Sequence, residues 1–229
     1  KTDIYGAYEK LPNSYALNNG YLTDVSILPY IRKQDITVRG QGMLYNTIVN
    51  SYFDGVDVTS YVTPATQMVI TNRTGSFDPN VAVGSSVQET FRLSEFGNTA
   101  LAYNRGDVVY VASRSGVSYT ADNSPATGIV ALVEDNTTVI RLVNVKGTFN
   151  ANDLVIGTIS GARATVVSSA AQSSMITNDN GEVCGVFNIP NNDQLRFRCG
   201  SRTFRLSDAL TDLASTTRAE KTYLASGTK

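Results

Sequence analysis

The stretch GEVCGVFNIPNNDQLRFRCGSRTFRLSD, residues 181–208, decides how this chain is read. It reads as two β-type runs around a loop. Within it Leu195 and Phe197 alternate with Arg196 and Arg198, so an apolar face lies opposite a charged one, the two-residue period of a strand. The segments that adjoin it offer no obvious partner for that apolar face. The partner has to be sought upstream.

It is found from Val25 onward. Ile36 and Val38 alternate with Asp35, Thr37 and Arg39, the run from Ile48 to Phe53 is a further strand candidate, and Asp54-Gly55 is a pair suited to positive φ. QMVITN, Gln67 to Asn72, is a further short strand. Three or four strands bury a sheet face only marginally, and the strands after residue 175 supply the remainder. The expected fold is therefore all-β: an Ig/FnIII-like β-sandwich assembled from residues 25–90 and 173–229, with helix sparse. Ala209 to Ala214 is compatible with one helical turn, and Thr222, Leu224 and Ser226 alternate as in a last strand. Residues 1–24 show neither period and read as an extended arm.

The segment between, 91–172, has a different texture. GDVVYVAS, ATGIVALVED, TTVIRLVNVKG, NDLVIGTISG and ARATVVSS are short β-type runs separated by Gly, Asp and Asn, the pattern of a small antiparallel barrel or sandwich inserted into the first unit. The Asp-then-apolar opening of RGDVVYVAS recurs in ANDLVIG.

Composition prunes the functions. The chain carries a net charge of -1 and no long Lys or Arg run, so nucleic acid is not an expected partner. No apolar run reaches the length of a membrane span, and no membrane insertion is expected. With Lys1 first and a polar tail to Lys229, the chain reads as processed or as part of a longer polypeptide. Histidine is absent, which removes Ser-His-Asp, Cys-His and His-ligated metal chemistry from within this chain. No enzyme activity, cofactor or metal is expected.

The remaining candidates are few. Asp54, Asp57 and Asp78 read as turn carboxylates, because FDGVDV lacks the other ligands of a calcium loop. Asp122, Glu134 and Asp135 have no partner that would make a catalytic pair. Arg196, Arg198, Arg202 and Arg205 form a basic set, read as a solvated outer face or as an ion-pairing strip against another subunit. Cys184 and Cys199 are compatible with one disulfide, two free thiols or bonds to other chains. Of the 12 tyrosines, Tyr5, Tyr8, Tyr15, Tyr21 and Tyr30 cluster early, as candidates for an interface or for loop packing.

Two segments carry a resemblance. ILPYIRKQDITVRGQGMLYNTIVNSYFDGVDVTSYV (27–62) and DNGEVCGVFNIPNNDQLRFRCGSRTFRLSD (179–208) resemble the two halves of a module in large structural proteins of tailed bacteriophages, including tail-fibre and baseplate-associated chains. LPYIR with SYFDGVDV is similar to the first half, and GVFNIPNN with FRCGSRTFRLSD to the second. Cys199 departs from the pattern, where a small polar residue is expected. GTFNANDLVIGTISGARATV looks like small β-modules common in phage virion proteins. The resemblance implies a virion structural protein of the tail (fibre, baseplate or fibre-attachment protein), assembled in the host cytoplasm. It would act through contacts with other virion proteins in a homotrimer or another symmetric oligomer. The alternative expectation is an adhesin that binds a host surface receptor or carbohydrate, with the inserted domain as tip and Tyr110 or Tyr119 as anchors. No catalytic residue is carried over.

Overall fold

The computed structural model describes residues 29–82, 91–94, 104–134, 138–210 and 215–225. In chain order the strands are β1 (Gln34–Gln41), β2 (Asn50–Phe53), β3 (Val56–Asp57), β4 (Val62–Pro64), β5 (Thr66–Thr74), β6 (Val81–Ala82), β7 (Phe91–Ser94) and β8 (Asn104–Arg105). They continue as β9 (Val108–Arg114), β10 (Val117–Ser118), β11 (Ala126–Val133), β12 (Val139–Gly147), β13 (Leu154–Gly157), β14 (Arg163–Ala171), β15 (Val183–Ile189), β16 (Gly200–Ser207) and β17 (Arg218–Ala225). One 3-10 turn, Thr59–Tyr61, joins β3 to β4, and no α-helix occurs among the described residues. The protein is all-β.

Eight strands form one sheet in the order β3-β2-β16-β17-β7-β1-β15-β4. Its apolar face follows from alternation: Ile36 and Val38 of β1, Val183, Phe187 and Ile189 of β15, and Phe204 and Leu206 of β16 are buried in one core with Phe53. The sheet curls. Phe53, near one end of the strand order, meets Phe187, near the other, with ring centroids 5.2 Å apart, and it also meets Phe197 at 4.7 Å. Asp54 (φ 52) and Gly55 (φ 80) make the tight turn from β2 to β3, because Tyr52 pairs with Asp57 and Phe53 with Val56.

The long-range pairing runs Gln34↔Ile189 through Gly40↔Val183 between β1 and β15, and Phe53↔Phe204 through Asn50↔Ser207 between β2 and β16. The two late strands are not a hairpin. β17, β7 and β1 stand between β16 and β15 in the sheet. The connection between them makes its own contacts instead, with bridges Asn191↔Arg196 and Tyr30↔Arg198.

Six further strands close a barrel, in the order β9-β11-β12-β5-β14-β13 with β13 pairing back to β9; β10 extends the sheet at β9. Met68 and Ile70 of β5, Val109 and Val111 of β9, Ile140 and Leu142 of β12, and Val155 of β13 fill it, with Phe77 and Phe149 from the loops. A barrel this small has room for side chains and no lumen.

Two boundaries differ from the expected ones. β5, placed by sequence with residues 25–90, is a barrel strand: it pairs with β12 and β14, and without it the barrel would have two open edges. β7, placed by sequence in the insert, lies in the curled sheet, parallel to β1 and beside β17. The helical turn expected from Ala209 to Ala214 falls largely outside the described residues.

The chain crosses between the two sheets at adjacent points. Gln172 N–H donates to the Ala65 carbonyl, and Ala65 N–H to that of Cys184, each at 3.3 Å. Around this crossing the outer face of β15 packs on the barrel wall, and Cys184 and Val186 are buried against Ala65, Ala131, Leu132 and Val143. The buried Arg141 adds polar ties, with Nε to Glu134 Oε1 at 2.9 Å and Nη1 to the Ile176 carbonyl at 2.7 Å.

Candidate functional site

The arginines separate into two pairs. Arg202 is tied to the β2–β3 turn: Nη1 lies 2.8 Å from Asp54 Oδ2, and Nε donates to the Arg198 carbonyl at 2.9 Å. The Arg205 guanidinium sits 5.2 Å from the Tyr52 ring centroid and pairs across the sheet with Glu220. These two serve the fold.

Arg196 and Arg198 remain outward. Leu195 and Phe197 turn into the curled-sheet core, as their alternation requires, and leave the arginines exposed. The segment Pro29 to Ile31 lies antiparallel along them: Ile31 N–H donates to the Phe197 carbonyl at 2.8 Å and Cys199 N–H to that of Pro29 at 3.0 Å. The Arg196 guanidinium stacks over Tyr30, 4.3 Å from its centroid. This pairing brings in two cations that sequence reading did not single out, the exposed Arg32 and Lys33. Ile31, 2 % exposed, is the anchor, so the residues after it emerge beside Arg196.

The outcome is an exposed strip of four cations, Arg32, Lys33, Arg196 and Arg198. Among the described residues none of the four forms an ion pair. In a chain of net charge -1 such a strip favours contact with an acidic surface. Tyr5, Tyr8, Tyr15 and Tyr21 lie outside the described residues.

Both cysteines are free thiols. The disulfide considered from sequence presumed neighbouring strands. Cys184 lies on β15, on the face turned to the barrel, whereas Cys199 precedes β16 and packs against the core of the curled sheet. Burial pushes the Cys184 thiol up from 9.0 to about 12, with Arg141 and Arg39 pulling the other way. Cys184 is thus an inert packing residue.

The carboxylates serve turns and pairs. Asp57 Oδ1 accepts from Thr59 N–H at 2.9 Å, Asp78 Oδ1 from Asn80 N–H at 2.7 Å, and Glu134 holds Arg141. Asp122 is exposed, and Asp135 lies outside the described residues. Among the described residues no group of three or more Cys, Asp or Glu side chains converges as a metal site would.

The recurring Asp-then-apolar openings have a structural meaning that sequence alone left unread. Asp107 precedes β9 and is fully buried; it accepts from Ile159 N–H at 2.9 Å, Ser160 N–H at 3.1 Å and the Ser160 hydroxyl, holding the turn after β13. Asp153 precedes β13 and binds Arg114 at the end of β9, at 2.8 and 2.7 Å. Each aspartate fastens the far end of the other's strand. The Arg114 pKa is raised by its hydrogen bond to Asp153.

The tyrosines proposed as adhesin anchors are not free. Tyr119 packs, half-buried, against the barrel core, and Tyr110 is half-buried on β9. No protein family, curated protein or solved structure matches the chain.

Proposed function

We propose that this chain is a structural component of a tailed-bacteriophage virion, of the fibre, baseplate or fibre-attachment class, which works through contacts between subunits. The observation that carries the proposal is the cationic strip Arg32, Lys33, Arg196 and Arg198, fixed in the segments that lead into β1 and β16 and left without acidic partners among the described residues. It lies within the two segments that resemble the phage module. Its complement is an acidic face on a neighbouring subunit, either another virion protein or a second copy in a symmetric oligomer such as a trimer.

The means of contact is narrower than edge-strand pairing. β3 and β4, the edges of the curled sheet, have two and three residues, and among the described residues the barrel has just the two-residue β10 at its margin. Edges this short resist strand addition. Among the described residues, exposed side chains such as those of the strip are then better suited to carry the contact. Two free thiols agree with assembly in a reducing cytoplasm. The Ig/FnIII-like reading of the curled sheet belongs to the same proposal: its flanks face each other across Phe53, Phe187 and Phe197 in the manner of a sandwich, although all eight strands share one hydrogen-bonded sheet.

The test is peptide mass spectrometry on purified tailed particles from the source of this sequence, with native mass spectrometry of the isolated chain. The expected outcome is recovery of its peptides at a fixed stoichiometry in particles. A chain absent from particles and monomeric in solution contradicts the proposal.

A further inference from the structure

Where β12 and β14 of the barrel face β4 and β15 of the curled sheet, a cleft of about 450 Å³ opens. Its walls come from parts of the chain far apart in sequence, and no residue that lines it carries a charge. Pro64, Val145 and Ala171, which are half-buried or exposed, give it apolar surface over a floor of buried Leu142, Val143, Phe149 and Val186. Thr66, Asn144, Thr148 and Ser169 give it hydroxyl and amide groups, and among the described residues these four side chains make no hydrogen bond. Thr63 and Asn188, also in the wall, bond each other at 3.0 Å.

Two irregularities of the barrel shape this wall. β12 carries a bulge against β11, because the register passes from Lys146↔Thr127 to Val143↔Ile129. Asn144 sits in that bulge with φ 52, a left-handed conformation that costs an L-residue roughly 1 kcal/mol. β14 carries a second irregularity between Val166 and Ser168, which re-phases the strand just before Ser169. Bulges of this kind re-aim side chains, and both occur in strands that line the cleft.

We infer that the cleft is a binding site for a neutral, polyhydroxylated ligand, a short saccharide chain. Three properties converge on that class. An uncharged wall offers nothing to a phosphate, carboxylate or ammonium group, whose desolvation would go uncompensated. The mixture of apolar surface with unpartnered hydroxyl and amide groups matches a sugar ring, which presents C–H faces and a rim of hydroxyls. The volume falls within the roughly 300–1,000 Å³ of ordinary small-ligand clefts. The inference differs from the adhesin expectation in place, since it uses the junction of the two sheets and neither Tyr110 nor Tyr119. It also stands apart from the structural role, because a virion scaffold need not bind sugar.

The experiment takes the full chain and titrates it by isothermal calorimetry and saturation-transfer NMR. The probes are neutral trisaccharides of glucose, mannose, galactose and N-acetylglucosamine, with a sialylated trisaccharide for comparison. At least one neutral probe is expected to bind saturably and more tightly than the sialylated one. Ser169→Trp, which fills the cleft, is expected to abolish that binding. Asn144→Ala is expected to weaken it about tenfold, as loss of one or two hydrogen bonds would. Far-UV circular dichroism and thermal melting identify folded variants. Should Ser169→Trp fail to fold, Thr66→Trp blocks the cleft from β5. No saturable neutral binding by the folded chain, preference for the sialylated probe, or binding unchanged in a folded cleft-filled variant overturns the inference. None of these results bears on whether the chain is found in particles, so the two readings fail separately.

Discussion

Cys184 offers a direct check on how the barrel covers the curled sheet. Its thiol is 1 % exposed in the apolar seam with Ala131, Leu132 and Val143, and burial raises it from 9.0 to about 12. In a Cys199→Ser background Cys184 is the single thiol. At pH 8 that rise lowers its thiolate fraction roughly a thousandfold, before any steric protection is counted. Iodoacetamide labelling followed by intact-mass spectrometry is therefore expected to be at least a thousandfold slower than for a model thiol, and to reach the model rate in urea. The same shift acts on stability. The unfolded thiol ionises near 9, while the folded one keeps its proton to about 12, so the unfolded state binds fewer protons in that window. The contribution is complete below pH 9 and falls above it by about 1.4 kcal/mol per pH unit. Urea titrations from pH 8 to 10.5 should show the Cys199→Ser protein losing stability more steeply than the Cys184→Ala/Cys199→Ser protein by about that slope. Labelling within tenfold of a model thiol, or identical pH slopes in the two proteins, refutes the packing of β15 on the barrel wall.

Phe53 lies among Phe187, Phe197, Phe204 and Tyr223 with 1 % exposure, so Phe53→Ala is expected to cost about 3–5 kcal/mol in urea unfolding followed by tyrosine fluorescence. A loss below about 1 kcal/mol would mean that the curled core is not centred there. A Cβ on Gly106 would stand 1.5 Å from the Val130 carbonyl oxygen, which is backbone and cannot swing away. Gly106→Ala is therefore expected to lower soluble yield and melting temperature sharply, whereas Gly116→Ala, with open space and φ 83, should cost about 1 kcal/mol; equal melting temperatures for the two contradict the close approach of β11.

Strand identity was legible in the sequence because alternation is a local property. Ile36/Val38 and Leu195/Phe197 face as their spacing requires, and Asp54-Gly55 makes the turn that its φ tolerance suits. Partner choice is not local. QMVITN reads equally well as a strand of either sheet, and only the closure of the barrel between β12 and β14 settles its place. FRLS in β7 has too few residues to announce itself, yet it joins β17 to β1. The cysteine pair misleads for the same reason: strands consecutive in the chain have three other strands between them in the sheet. Arg196 and Arg198 could be assigned to an outer face from spacing alone. Arg32 and Lys33 joined them only once Ile31 was seen bonded to Phe197. Asp107 and Asp153 carried a faint signal, the repeated Asp-then-apolar opening, whose meaning lay in partners 52 and 39 residues away.

If this chain is a particle component, its cationic strip should face a partner there. The decisive measurement is an electron cryo-microscopy map of the parent particle, read for the position of the curled sheet and barrel and for what faces Arg32, Lys33, Arg196 and Arg198. The expected map shows a symmetric, repeated placement with the strip against carboxylates of a neighbouring subunit, and Arg196→Glu/Arg198→Glu is expected to remove the chain from particles. A particle without this chain, or one in which the strip faces solvent and the double charge reversal assembles normally, would contradict the proposal.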